Sequence, residues 1–458
     1  MSLSRFYFVA LGCAKNLVDA EVMLGKLGGG GYQIVEHPES AEIIIINTCS
    51  FIDSAKEESI EVILEMAEYK KAGVGACKCV VVSGCMPQRY SEELEKELPE
   101  VDLFIGTGEY AKIVEYLKKL EKNPEQKKRS FVSVPKYLAT DKDLRINTSP
   151  SYMAWLKIAE GCDRHCSFCI IPTIRGKYRS RTVTSLMKEA KLLEAQGVRE
   201  LNLISQDISV YGKDLAERNN LQNLVKGLEK LPGIDWIRLL YYYPDKLDRE
   251  FIEMMKNSSK LCHYVDMPVQ HFSDGVLKRM NRKVTGGKLL QKIEMLKKGI
   301  PDIVLRTSVI VGFPGESDKD FQALLQGIEQ AEFHNLGVFQ YSDEEGTAAY
   351  KLKEKLPKKI INERFREVYK LQKKISKRLN KRYVGQTLDV LIEGSHHDTE
   401  LLLQGRFYGQ SPDIDGKVII NDGGSVTVGE IVKVKIAEAH DYDLVGEIVG
   451  RPSIKSIK

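Results

Sequence analysis

Across residues 5–121, short apolar runs alternate with longer amphipathic stretches. Residues 6–11, 43–47, 80–83 and 103–105 read as strands, and residues 54–70 as a helix with Ala55, Ile60, Ile63, Leu64 and Ala67 on one stripe. Strands separated by helix-length segments predict βα units and an open parallel sheet. A charged stretch at 121–148 reads as a linker, after which the alternation resumes. Candidate strands at 155–159, 200–204, 237–241, 264–268, 304–311 and 336–340 predict a partial barrel of about six βα units. In residues 351–382, Ile361, Phe365, Val368, Leu371, Ile375 and Leu379 recur at three- and four-residue steps, the mark of an amphipathic helix. From Tyr383 to Gly450 the pattern breaks into short β-like runs, among them 387–392, 417–420 and 431–436, separated by glycine-bearing turns. Such a pattern predicts a small antiparallel barrel. The expected fold class is multidomain α/β, divided at 1–125, 149–381 and 382–451.

Composition narrows the class without changing this outline. A chain of 458 residues with 43% hydrophobic and 29% charged residues lies in the globular range and is long enough for several cores. Wholesale disorder and fibrous scaffolds are excluded. No apolar run approaches the roughly 18 residues of a membrane span. The N-terminus lacks the basic segment, apolar stretch and cleavage site of a secretory signal, so a soluble cytoplasmic protein without a membrane partner is expected. Nine cysteines, an odd number in a reducing compartment, do not make a disulfide framework.

Their positions are more informative. Cys13, Cys49 and Cys85 each follow a candidate strand of the first segment directly. In a parallel sheet these places share the carboxyl edge, where open α/β folds put their ligands. Three soft thiolates there suit iron–sulfur clusters or zinc rather than magnesium or calcium. A single such cysteine would read as a small residue packed beside a turn; three at equivalent places favour a metal site. Cys77 and Cys79 precede their strand, and Cys262 enters one, so these read as structural.

After the strand at about 154–160 come Cys162, Cys166 and Cys169, in the run Gly-Cys-Asp-Arg-His-Cys-Ser-Phe-Cys. Three thiolates in one loop can hold three corners of a [4Fe–4S] cube and leave the fourth iron open. Structural zinc is the competing reading, with His165 nearby, but it wants four ligands and no second cysteine pair follows. Polar residues stand at several barrel strand ends: Gln206, Asp207, Gln270 and His271, with the turn Gly312-Phe313-Pro314-Gly315. The turn reads equally as a tight turn or as pocket lining, and His271 as a core histidine.

Charge is unevenly spread beneath a formal net of +4. Residues 351–382 hold 14 Lys and Arg against 3 acids, whereas residues 383–450 hold 4 against 12. The basic helix reads as a solvated face or as a nucleic-acid patch. The acidic barrel would repel RNA and attract a basic protein.

The triple Cys162, Cys166, Cys169, with Phe168 before its last cysteine, resembles the radical S-adenosylmethionine enzymes, and the last segment resembles the TRAM domain. With the first triple, this order resembles the methylthiotransferases over essentially the whole chain. Within that family, Gly-Cys-Ala-Lys-Asn-Leu-Val-Asp at residues 12–19 is similar to the branch that modifies an aspartate of ribosomal protein S twelve; the tRNA branch typically has Gln-Met in place of Ala14-Lys15. The resemblance implies two [4Fe–4S] clusters, one on Cys13, Cys49 and Cys85 carrying sulfur, the other on Cys162, Cys166 and Cys169 binding S-adenosylmethionine. It also implies a radical source and methyl donor in that cofactor, a low-potential electron donor such as flavodoxin or ferredoxin, and a sulfur source. The partner would be ribosomal protein S twelve, free or in the small subunit, with RNA contact not favoured. The alternatives are a tRNA adenosine methylthiotransferase and, in a different class, a non-enzymatic iron–sulfur or RNA-binding protein.

Overall fold

Ile43, Ile44, Ile45 and Ile46 are all fully buried, Ile43 and Ile45 in one apolar core and Ile44 and Ile46 in another. A strand can bury both faces only in a sheet covered on both sides, the parallel α/β arrangement. The computed structural model describes residues 3–123, 129–216, 220–396, 398–421 and 426–450. Its first part runs β1 (Arg5–Ala10), α1 (Ala14–Gly29), β2 (Gln33–Ile34), β3 (Ile43–Thr48), α2 (Asp53–Ala67), β4 (Cys79–Gly84), α3 (Cys85–Glu97), β5 (Leu103–Gly106), α4 (Ile113–Lys122) and β6 (Ser130–Phe131). The strands form one all-parallel sheet in the order β2-β1-β3-β4-β5-β6. The four expected strands are present, each ending within one residue of its expected bounds.

Of the charged stretch at 121–148, residues 124–128 lie outside the described residues, and the described residues 129–148 are not a free linker. They contribute β6, and their Arg145 reaches Glu21 at 2.6 Å and Glu189 at 2.5 Å, joining the first sheet's helix α1 to the next domain. Charge in this segment marks buried pairing that composition alone does not show.

The central part runs β7 (Met153–Lys157), β8 (Ala159–Glu160), α5 (Ile171–Arg175), β9 (Arg179–Ser180), α6 (Val183–Ala195), β10 (Glu200–Ile204), α7 (Leu221–Leu228), β11 (Trp236–Leu239), α8 (Arg249–Asn257), β12 (Leu261–Asp266), α9 (Asp274–Arg279), α10 (Gly286–Gly299), β13 (Val304–Val311), α11 (Asp318–Ala331), β14 (Asn335–Gln340) and α12 (Lys358–Asn380). Six parallel strands form an open barrel in the order β14-β13-β12-β11-β10-β7. The run expected as one strand at 155–159 is divided, because β8 leaves the barrel sheet to pair antiparallel with β9. Helix α12 buries Val368, Ile375 and Leu379 in the barrel's outer core.

The last part, β15 (Thr387–His396), β16 (Thr399–Phe407), β17 (Val418–Ile420), β18 (Ile431–Ala439) and β19 (Leu444–Gly450), is a closed five-stranded barrel. It is not wholly antiparallel, since β17 pairs parallel with β19. Its Val390, Ile392 and Phe407 share a core with Trp155, Ile204 and Tyr264 on the inner face of the central barrel. Arg238, Glu200 and Arg406 form a completely buried ionic chain across this junction, at 3.0 and 2.6 Å.

Candidate functional site

Strands β1, β3 and β4 are neighbours in the first sheet, and each delivers a cysteine at its carboxyl end. Cys13 occupies the N-cap position of α1, Cys49 follows Thr48, and Cys85 opens α3. Helix N-termini favour anionic groups and lower thiol pKa values. Gly12, at φ +90, lies so close to Cys49 that a Cβ on it would stand 2.8 Å from the Cys49 Cβ and 3.3 Å from its Sγ. The glycine therefore lets the Cys13 turn and Cys49 meet. Cys49 is fixed in turn by Ser59, whose hydroxyl accepts from its N–H at 3.2 Å and donates to its carbonyl at 3.0 Å. Burial pushes the Cys85 thiol up to about 12. Crowding by protein also opposes ionisation of Cys13, but the Lys15 ammonium and Arg175 guanidinium outweigh it and hold that thiol below its ordinary value.

Cys162, Cys166 and Cys169 lie in one loop at the carboxyl edge of the barrel sheet. Gly161, at φ +83, permits its sharp entry, since a Cβ there would overlap the carbonyls of Lys177 and Gly176. Arg164 anchors the loop through Asp207 at 2.8 Å and both oxygens of Asp245 at 2.9 and 3.0 Å. Tyr243 is held between the guanidinium groups of Arg164 and Arg282, whose carbons lie 3.7 and 3.9 Å from the ring centre. Asn281 donates to the His165 carbonyl at 2.7 Å, and Arg282 reaches Cys166 Sγ at 3.8 Å. Burial raises Cys162 to about 11 and Cys169 to about 12. The His165 residue is exposed while Cys162 is buried. Among the described residues no group of three His, Cys, Asp or Glu side chains closes on a single ion.

The two triples adjoin. Cys85 packs with Ile170, which follows Cys169 directly, and with Ile174 one turn further on. From the same short helix, Arg175 donates to Cys85 Sγ at 3.3 Å and to Asn16 Oδ1 at 3.1 Å, and pairs with Asp19. Lys157 of β7 also pairs with Asp19, and with Glu160 at 2.6 Å. Burial disfavours charge on Glu160, but Lys157 and Arg175 dominate and bring its carboxyl down to about 2. The first turns of α1 thus lie over the mouth of the barrel.

On β10 and just beyond it several buried polar atoms have no hydrogen-bond partner among the described residues: both amide atoms of Asn202, Ser205 Oγ and Gln206 Oε1; His271 Nε2 instead faces Glu316 Oε2 at 3.7 Å. Buried polar atoms are ordinarily paired, so this cluster suits a polar ligand. Of the strand-end residues, Gln206 donates to Glu160 at 2.8 Å, while Asp207 holds Arg164. Gln270 bridges to Val309, and His271 accepts from the Ser273 N–H at 2.9 Å while burial pulls its pKa down to about 3. The Gly312 turn is a structural one in which Glu316 accepts from the N–H groups of Gly312 and Phe313 at 2.9 and 3.2 Å.

Residues 5–106 match the uncharacterized protein family UPF0004, residues 156–328 the radical SAM superfamily, and residues 384–449 the TRAM domain. The ribosomal protein uS12 methylthiotransferase RimO of Geobacter sulfurreducens is 48% identical over 441 residues, covering 96% of this chain and 98% of that one. The enzyme of the same name from Myxococcus xanthus is 50% identical, covering 98% and 92%. The chain belongs to the RimO-type methylthiotransferase family. It is accordingly a transferase of the radical S-adenosylmethionine class, with two [4Fe–4S] clusters and S-adenosylmethionine as cofactors. A purely structural iron–sulfur or RNA-binding role is set aside. The radical S-adenosylmethionine methyltransferase TsrM of Kitasatospora setae shares the fold, with a TM-score of 0.54 at 14% identity, covering 74% of this chain and 75% of that one. The cobalamin-dependent enzyme OxsB shares it with a TM-score of 0.52 at 13% identity, covering 81% and 56%.

The residues present suit these cofactors: soft donors in threes, one triple gathered from three neighbouring strand ends and the other in a single loop, with an unpartnered polar lining beside the second. Sequence reasoning gave no role to Asp19 and Arg164, which lie within the quoted motifs, or to Lys157, Arg175 and Arg282, which lie outside them; all five position the cysteine-bearing segments. Asp19 and Arg175 lie six residues beyond Cys13 and Cys169, close enough to have been considered, but nothing local shows that they meet.

Proposed function

We propose that the chain replaces a β-hydrogen of one aspartate in ribosomal protein uS12 with a methylthio group. In this reading Cys162, Cys166 and Cys169 hold the cluster that binds S-adenosylmethionine, and Cys13, Cys49 and Cys85 hold the auxiliary cluster. When bound, these groups supply a 5′-deoxyadenosyl radical for an unactivated C–H bond that no acid or base removes at neutral pH, together with the methyl group and the sulfur. The observation that supports the reading is the packing of Cys85 on Ile170 and Ile174, next to the loop of the second triple. The protein's own part is orientation: Arg175 ties the auxiliary edge to the segment after the radical loop, and Asp19 of α1 pins that helix to the barrel through Lys157 and Arg175.

The partners follow from charge. The last domain is acidic, and part of the basic helix is already neutralised, since Lys373 and Lys377 pair with Asp441 and Arg378 with Glu332. A basic ribosomal protein therefore suits the acidic barrel better than RNA, which places the enzyme in the cytoplasm, acting on uS12 free or in the small subunit. Mass spectrometry of uS12 and tRNA, from a bacterial host lacking both native methylthio activities and expressing this chain, tests the reading. A methylthio gain on the uS12 aspartate alone supports it; a gain on tRNA adenosine alone overturns it.

Electrons would come from an acidic low-potential donor such as flavodoxin or ferredoxin. A cavity of about 360 Å³ lined by Lys278, Arg282, Lys283 and Lys288 opens beside the radical loop, and Arg282 touches Cys166. Changing Lys278, Lys283 and Lys288 together to Glu is expected to cut the flavodoxin-supported rate about tenfold or more, because opposed charge slows association. Reduction by dithionite should be unchanged, and equal flavodoxin rates would remove this surface from the account.

A further inference from the structure

We propose that Lys15 forms a carboxylate-binding subsite whose ligand is the side chain of the target aspartate. The inference rests on the uS12 reading above and adds the group that recognises the substrate.

Lys15 stands in the first turn of α1, two residues after Cys13, and is only 9% exposed. Its ammonium reaches across to the barrel and lies 3.4 Å above the centre of the Tyr241 ring, just beyond β11. The charged or titratable groups facing it are Tyr241, Cys13 and Asp266. Asp266 is already committed, accepting from Arg306 at 2.8 Å and from the Tyr241 N–H at 3.1 Å. Cys13 belongs to the auxiliary triple. Lys15 therefore makes no ion pair with a carboxylate among the described residues.

Its neighbours are treated differently. At the same interface Lys157 is paired with Asp19 and Glu160, and Arg175 with Asp19. Burying a cation is costly; the Cys13 thiol facing Lys15 belongs to the auxiliary triple, and the ring and hydroxyl of Tyr241 compensate only in part. A lysine left so, beside the exposed residues Gly12 and Cys13, is placed to receive an anion from outside.

Chemistry selects the anion. The reacting carbon of aspartate is bonded directly to its carboxylate carbon. A cation on that carboxylate locates the β-carbon beside Cys13, at the carboxyl edge of the barrel strands, and leaves its C–H bonds free. An adenine or a carboxamide offers no charge to pair. S-adenosylmethionine also carries a carboxylate, so the test must separate the two sources.

Holoenzyme with both clusters reconstituted, wild type and Lys15→Met, is titrated with a uS12 peptide bearing the target aspartate and with the same peptide carrying Asn there. S-adenosylmethionine is titrated separately without peptide. Wild type is expected to prefer the Asp peptide about tenfold or more, the effect of roughly one charge-assisted contact. Lys15→Met should bind the two peptides equally, keep its affinity for S-adenosylmethionine, and melt no lower than wild type; Lys15→Arg should restore part of the preference. A Lys15→Met enzyme that still prefers Asp overturns the inference. So does a selective loss of S-adenosylmethionine affinity, which would assign Lys15 to the cofactor, and so does a lowered Tm, which would make it structural. Wild type that binds neither peptide would instead strike down the uS12 reading, and the inference with it.

Discussion

Cys162→Ala is expected to abolish S-adenosylmethionine cleavage, whereas Cys49→Ala should keep cleaving the cofactor and stop inserting sulfur. The two triples stand on separate sheets, and Cys49, unlike Cys85, is not part of the apolar cluster shared with Ile170 and Ile174, so its loss need not disturb the radical loop. Cys162 is held between the Gly176 carbonyl, which accepts its N–H at 3.1 Å, and the Arg164 N–H, which donates to its sulfur at 3.4 Å. The carboxylate facing it, Asp207, is committed to Arg164 at 2.8 Å, and His165 is exposed. The fall in 5′-deoxyadenosine should exceed about 10³-fold, equivalent to ~4 kcal/mol of barrel-site catalysis. Iron per chain should drop from about eight to about four in each variant, one cube being lost. For Cys49→Ala, 5′-deoxyadenosine should persist while the methylthio product falls by a similar factor. An active Cys162→Ala enzyme would refute the assignment of the radical cluster. Normal methylthiolation by Cys49→Ala would refute that of the auxiliary one.

The parts of this site that could be read from sequence are those in which strand, cysteine and helix follow one another within a few residues. Cys13, Cys49 and Cys85 could be placed on one edge because parallel βα topology dictates it, and the sheet order makes their strands adjacent. Likewise the spacing of Cys162, Cys166 and Cys169 fits a single loop. What sequence could not show is how the domains meet. Asp19 joins Lys157 and Arg175 across more than a hundred residues, and no period or motif links them. Asp415 of the last domain comes 3.4 Å from Arg306 of the central barrel. Acidity in that domain was legible as a sum, but not that some of it is spent on internal pairs. The linker expectation failed for the same reason, because Arg145 looks solvated until Glu21 and Glu189 are folded around it. In each case the missing information is a long-range partner that turns a costly buried charge into a structural tie.

Glu200→Ala is expected to be the most destabilising single substitution outside the cysteine sites. Glu200, Arg238 and Arg406 are all completely buried, and Glu200 accepts from Arg238 at 3.0 Å and from Arg406 at 2.6 Å. Removing the carboxylate leaves Arg238 with the Tyr408 carbonyl and the face of the Tyr264 ring, and Arg406 with Glu393 and the Gln410 carbonyl. Breaking a buried pair by deleting one partner costs about 3–5 kcal/mol, against a total stability of roughly 5–15 kcal/mol. The chain lies across the junction of the two barrels, so the C-terminal barrel should loosen first, seen as a large fall in Tm with new protease cuts near residue 383. Burial opposes charge on Glu200, but Arg406 and Arg238 prevail and hold its carboxyl below the usual glutamate range. Its contribution is therefore fully present above the unfolded value of about 4.3 and is lost only as pH falls through the lower folded value. Wild type should accordingly lose this tie in acid, whereas Glu200→Ala should show a flatter acid dependence. A triple change, Glu200→Leu with Arg238→Met and Arg406→Met, should recover most of the lost Tm, because apolar side chains of similar volume replace buried ion pairs at little cost. If Glu200→Ala melts within a degree or two of wild type, the ionic chain does not hold the barrels together, and the apolar contacts of Trp155, Tyr264, Val390 and Phe407 must carry the junction alone.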